Sequence, residues 1–163
     1  MRKTRLAVFV SGSGTNLQAI IDAGIQSVEI VLVLSNNPGA YALERAKKHG
    51  IPAEVLDNKK YGSREEYDAE VLKLIEPYRV DLIALAGFMR ILTPRFVRAY
   101  KNRIINIHPA LLPSFPGMHA AKQALESGVK FTGCTVHFVD EGVDTGPIIL
   151  QAVVPVRDGD DEE

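Results

Sequence analysis

Three runs of five consecutive apolar residues, 6–10, 30–34 and 82–86, dominate the hydrophobic pattern of this chain. Continuous rather than alternating apolarity marks strands covered on both faces. A fourth such strand is read at 103–106 and a shorter one at 53–56. Between them the period becomes helical. Leu17, Ile20 and Ile21 form a stripe that Gly24 stops, and residues 40–49 end at Gly50. Ser63 and Glu66 make a capping box ahead of Tyr67, Val71, Leu74, Ile75 and Tyr78, so this helix is expected to run to about Tyr78. Thr93 and Pro94 open another, as cap and first helical residue. The alternation predicts an α/β fold with a doubly wound, mostly parallel sheet.

Past residue 108 the grammar changes. Pro109, Pro113 and Pro116 punctuate a half-apolar stretch that can be neither helix nor strand and is expected to lie over something. Residues 120–127 read as a helix stopped by Gly128, 132–139 as a half-buried alternating strand, and 148–156 as its antiparallel return, a carboxyl-terminal hairpin. The acidic run 158–163 has nothing with which to bury itself.

Composition narrows the class. At 163 residues and 46% hydrophobic content the chain is read as one compact domain. Nineteen Lys and Arg against 20 Asp and Glu leave a formal net charge of −1, which removes any global attraction to nucleic acid or membrane. No apolar run approaches the roughly 18 residues that cross a bilayer, and the start shows no cleavable signal pattern, so a cytoplasmic protein is expected. The single cysteine, Cys134, excludes an internal disulfide and alternates with Val136 and Phe138 as a small core residue.

In doubly wound sheets ligands bind beyond the carboxyl ends of the strands. The loops there at 11–16, 87–92 and 106–109 carry the candidate chemistry. Gly12, Ser13, Gly14, Thr15 and Asn16 lie between a strand and a helix, where small residues bring backbone N–H groups close to an anion. The loop lacks both the P-loop ending and the third glycine of the dinucleotide fingerprint, leaving a phosphate site or a plain tight turn. Asn106 and His108, two apart before Pro109, project to one face, where an amide and an imidazole can act on one carbonyl oxygen or simply cap the strand. Arg64 opposes the dipole of its helix start, which marks either a ligand contact or a solvated face. His49 reads as a solvent-facing partner of a helix end.

The motifs Ser11-Gly12-Ser13-Gly14-Thr15-Asn16-Leu17-Gln18, Ala86-Gly87-Phe88-Met89-Arg90-Ile91-Leu92, Asn106-Ile107-His108-Pro109-Ala110-Leu111-Leu112-Pro113, Thr135-Val136-His137-Phe138 and Asp144-Thr145-Gly146-Pro147 come in order along the chain. In these the chain resembles the folate-dependent formyltransferase family, and within it the phosphoribosylglycinamide formyltransferases, which the first loop and residues 115–119 set apart. The resemblance implies a Rossmann-like formyltransferase fold and transfer of the formyl group of 10-formyltetrahydrofolate, as cosubstrate, to the amine of glycinamide ribonucleotide in de novo purine biosynthesis. It implies Asn106 as oxyanion donor, His108 as proton donor toward the leaving folate nitrogen, and Asp144 as the carboxylate that raises the basicity of His108. It implies the ribonucleotide phosphate on Gly12, Ser13, Gly14, Thr15 and Asn16. The folate would meet Arg64, Met89, Arg90, Ile91 and Leu92, with Val139, Asp140, Glu141, Val143 and Asp144 closing over its pterin end.

The resemblance implies no metal, no nucleic acid or membrane partner, and a monomer or weak homodimer. Ala110 stands where the family more often has serine, whose hydroxyl is outside the chemistry. The family continues into further helix, so residues 1–163 are expected to be one formyltransferase domain lacking its carboxyl-terminal part. Three alternatives stand beside this reading. A formyltetrahydrofolate deformylase would use the same three residues with water as acceptor. A metal-dependent hydrolase would gather His108, His119, His137 and Asp144, whose spacings match no compact zinc signature, and His119 and His137 read better as supporting hydrogen-bond residues. A phosphosugar-binding module would need only the first loop.

Overall fold

The structure, a computed structural model, describes residues 1–162. The chain divides into two compact units, residues 1–104 and the part from Ile105 onward.

The first unit runs β1 (Thr4–Val10), α1 (Thr15–Asp22), β2 (Val28–Ser35), α2 (Ala42–Lys48), β3 (Ala53–Val55), α3 (Arg64–Ile75), β4 (Leu82–Leu85) and α4 (Pro94–Ala99). Its strands are parallel in the order β3-β2-β1-β4. Ala7, Val8, Phe9, Val10, Leu32, Val33 and Leu34 expose no surface, as expected of strands covered on both faces. The chain steps outward from β1 to β3 and then returns to β4 on the other side of β1. Because such crossovers keep one hand, the helices before and after this reversal take opposite faces. Accordingly α1 packs beside α2, and α3 beside α4. The reversal opens a crevice beyond the carboxyl ends of β1 and β4.

Phe9 closes the core beneath that crevice, edge-on to Phe88 at 5.4 Å and to Phe96 at 6.1 Å. At the opposite ends of the same strands, Asp81 accepts from Arg2 Nη2 at 2.6 Å and from the Arg5 amide at 2.9 Å. Ser63 Oγ caps α3 by accepting from the Glu66 amide at 3.1 Å, while the Glu66 carboxylate accepts from the Gly62 amide rather than from Ser63 itself. Helix α3 ends at Ile75, short of Tyr78. Pro77 cannot donate, so residues Glu76–Tyr78 tighten into a 3-10 turn and Arg79 leaves it in the left-handed region at φ 48°.

The second unit holds β5 (Ile104–His108), α5 (Ala120–Ser127), β6 (Phe131–Phe138) and β7 (Ile148–Pro155), with β6 antiparallel to both β5 and β7. Gly128, at φ 69°, stops α5. Cys134 is half-buried within β6, opposite Ala152. The return strand is found where the sequence predicts it, but every residue of β7 is exposed, Leu150 to 67% and Val153 to 61%. Among the described residues no helix is long and apolar enough to cross a membrane.

Candidate active site

In the first unit, Ser11, Gly12, Ser13, Gly14, Thr15 and Asn16 line a cleft of about 230 Å³ together with Ala86, Gly87 and Met89. The cleft is the crevice that the strand order creates. Its two walls are tied by Ser11, whose hydroxyl accepts from the Met89 amide at 2.8 Å and donates to Asn36 Oδ1 at 2.6 Å. Gly14 sits at φ 75° as the N-cap of α1, and a Cβ there would lie 2.8 Å from Ala42 Cα. Only glycine meets both demands. No side chain caps α1, whereas Ser63 and Thr93 cap α3 and α4.

In the second unit, β5 and β6 face each other with Asn106 opposite His137 and His108 opposite Thr135. Cross-strand partners on one face lie side by side. Asn106 Nδ2 is 3.2 Å from His137 Nε2, and His137 Nδ1 is 2.9 Å from the Phe138 carbonyl. A carbonyl only accepts, so the proton of the ring belongs on Nδ1 and Nε2 receives one hydrogen of the Asn106 amide. That fixes the amide and leaves its second N–H and its oxygen for a ligand. His108 Nε2 donates to the Phe115 carbonyl at 2.7 Å, and its Nδ1 faces Asp144 Oδ2 at 3.5 Å, an ion-pair distance longer than a hydrogen bond. The carbonyl only accepts, so Nε2 carries a hydrogen, and Nδ1 faces a carboxylate just beyond hydrogen-bond reach.

Asp144 is held to this duty by its loop. It sits at φ 54°, its Oδ2 receives the Gly117 amide at 2.8 Å, and its Oδ1 lies 3.8 Å from His137 Nε2. Asp140 Oδ1 accepts from the Gly142 amide at 2.9 Å and from the Thr145 hydroxyl at 2.6 Å, folding the loop back on itself. A Cβ on Gly146 would overlap the Phe138 carbonyl, so the loop returns to β7 through glycine. Thr135, fully buried, donates to the Ala110 carbonyl at 2.7 Å and accepts from the Leu112 amide at 3.0 Å, which clamps the proline-rich stretch onto β6.

The predicted residues thus gather into two sets. Asn106, His108 and Asp144 converge within the second unit, and the phosphate-loop residues within the first. Of the folate set, Met89 and Ile91 are exposed beside the cleft loop, Arg64 is exposed in the first turn of α3, and Leu92 is turned into the core at 8% exposure. The Arg90 guanidinium stacks on the Tyr67 ring at 4.3 Å. Burial pushes the Tyr67 hydroxyl far up despite the opposing pull of Arg90. Val139, Asp140, Glu141 and Val143 share the Asp144 loop, Val143 half exposed. His137 and Thr135 organise the site. Their signal in the sequence is two polar residues at alternate positions of a half-buried strand, which puts them on one face. That is the face the structure buries, whereas Cys134, Val136 and Phe138 on the other are half-buried. His119 departs from its expected support: at φ 55° before α5 it is exposed, and its ring joins none of the bonds around Asp144. His49 is exposed at the end of α2, its ring 2.8 Å from the Arg45 carbonyl. Among the described residues no three His, Cys, Asp or Glu side chains are grouped to hold a metal ion.

Comparison with known proteins bears on the whole chain. It is 48% identical over 161 residues to phosphoribosylglycinamide formyltransferase of Escherichia coli (strain K12), covering 97% of this chain and 76% of that one. It is 56% identical over 167 residues to the trifunctional purine biosynthetic protein adenosine-3 of Drosophila melanogaster, covering 99% of this chain and 12% of that much longer one. The chain spans only 12–16% of the length of the trifunctional curated relatives it matches. The crystal structure of glycinamide ribonucleotide transformylase 1 from Symbiobacterium toebii superposes with a TM-score of 0.95 at 50% identity, over 98% of this chain and 77% of that one. The expected doubly wound fold with antiparallel carboxyl-terminal strands is therefore the fold of this chain. Residues 4–163 match the formyl transferase family, and the chain belongs to it.

Proposed function

We propose that this chain transfers the formyl group of 10-formyltetrahydrofolate to the amine of glycinamide ribonucleotide, a reaction of purine biosynthesis. The observation that carries the reading is the cluster of Asn106, His108 and Asp144, with His108 Nε2 on the Phe115 carbonyl, its Nδ1 facing Asp144, and the Asn106 amide oriented by His137. Attack of the amine on the formyl carbon forms a carbon–nitrogen bond and puts negative charge on the formyl oxygen. The second N–H of Asn106 donates to that oxygen, the kind of preorganised contact that lowers such barriers most. His108, on exchanging the Phe115 carbonyl for substrate, supplies the second charge-stabilising donor. As the bond to the folate nitrogen breaks, His108 delivers the proton that nitrogen needs and Asp144 holds the ring's charge; the attacking amine gives up its own proton, to solvent or back through the same residues. No metal enters these steps.

The amides of Gly12, Ser13, Gly14 and Thr15, with the Asn16 side chain, take the ribonucleotide phosphate, and the uncapped start of α1 favours its charge. The folate contacts assigned to the first unit are Arg64, Met89, Arg90, Ile91 and the backbone of Leu92, and those assigned to the second unit are Val139, Asp140, Glu141 and Val143. The similarity of the chain to proteins named for this activity supports the same reading. The test is release of tetrahydrofolate product, followed by absorbance, with and without glycinamide ribonucleotide. Release that requires the ribonucleotide is expected. Release with water alone as acceptor would assign a deformylase instead.

A further inference from the structure

We propose that Asn37 and Arg45 are positioning residues for the phosphate loop: together with the backbone of Ala42 they hold three successive carbonyls outward and so aim three successive amides into the cleft. The inference rests on the reading of this loop as a phosphate site. Asn37 Nδ2 donates to the Ser11 carbonyl at 3.3 Å, the Ala42 amide to the Gly12 carbonyl at 3.1 Å, and Arg45 Nε to the Ser13 carbonyl at 2.7 Å. None of these three donor residues lines the cleft, while residues 11–16 do. The peptides are trans and planar, so each carbonyl points opposite to the N–H of the next residue. Holding Ser11, Gly12 and Ser13 carbonyls on the α2 side turns the Gly12, Ser13 and Gly14 amides to the other side. Consecutive amides presented in this way form a concave anion nest.

Arg45 is itself fixed. Its Nη1 donates to Gln18 Oε1 at 3.3 Å and its guanidinium lies 5.1 Å from the Tyr41 ring centroid. The contact with the loop is made by Nε, so the bond and the charge can be separated by mutation. In Arg45→Gln the amide nitrogen occupies the chain position of Nε and keeps the donor without the charge, whereas Arg45→Met removes both.

Binding of ribose 5-phosphate and of inorganic phosphate is read from the ¹⁵N–¹H shifts of Gly12, Ser13 and Gly14, and the KM for glycinamide ribonucleotide is read alongside. Arg45→Met is expected to weaken phosphate binding and raise that KM about tenfold, the size of one lost hydrogen bond, with kcat and the folate KM within about twofold. Arg45→Gln is expected to stay within about threefold of wild type, and Asn37→Ala to move in the direction of Arg45→Met by less. Equal weakening in Arg45→Gln and Arg45→Met would overturn the inference in favour of a simple charge effect. Unchanged binding in Arg45→Met, or wild-type amides that ignore both phosphates, would overturn it as well. Phosphate binding that follows the expected order in a protein without formyl transfer would sink the proposed reaction while leaving this inference standing.

Discussion

His137 decides what Asn106 can do. Its ring accepts one amide hydrogen while its other nitrogen is committed to the Phe138 carbonyl, so the amide is held by a buried neighbour instead of being free to rotate. Replacing His137 by Phe keeps the bulk and removes the acceptor. The expected result is a kcat lower by about ten- to a hundredfold with both KM values nearly unchanged, since misaiming a donor affects the transition state more than binding. His137→Gln, which can offer an oxygen to Asn106, is expected to recover part of the loss. A KM increase with intact kcat would instead place His137 in substrate binding. At this scale the sequence shows which residues carry protons and charge. It does not show the Phe115 carbonyl on His108, because a backbone oxygen has no residue type to read.

Elements were legible where their ends are written in side chains. Ser63 and Thr93 cap α3 and α4 as their positions predict, and Gly128 stops α5. The end of α3 was misplaced because Tyr78 continues the apolar stripe while Pro77 breaks the hydrogen bonds beneath it. Asp81 joins the starts of β1 and β4, a link between positions 5 and 81 that no local pattern reveals. The Arg5 amide, and after it Arg2, hold the Asp81 carboxyl below its ordinary value of 3.8. The folded state thus prefers the ionised group, and the stability this contributes is complete above about pH 4 and lost as pH falls through the lowered folded value. Asp81→Asn is expected to lower the urea midpoint at pH 7, and the difference from wild type is expected to shrink as pH falls through the lowered folded value. An unchanged midpoint at pH 7 would show that the negative charge of Asp81 beside Arg2 and Arg5 contributes nothing measurable.

On the scale of the whole molecule, the order of strands converts a hydrophobic pattern into a place for chemistry. Five-residue apolar runs predict buried parallel strands, and a reversal between β1 and β4 puts the loops after both at one crevice. The loops at 11–16 and 106–109 could be singled out because glycine, asparagine and histidine interrupt apolar strands there. The outward pull of Asn37 and Arg45 on the first of them could not, since it depends on the packing of α2 against a loop more than 20 residues earlier in sequence. The exposure of β7 was equally hidden, because an apolar run reads the same whether or not it is covered.

The central claim is that His108 is the proton donor of formyl transfer, and it is tested most directly by the single-turnover rate of His108→Ala with both substrates bound at saturation. That rate is expected to fall by about a hundredfold or more, with phosphate binding at residues 12–14 unchanged. A first-order rate equal to that of the wild type would contradict the assignment.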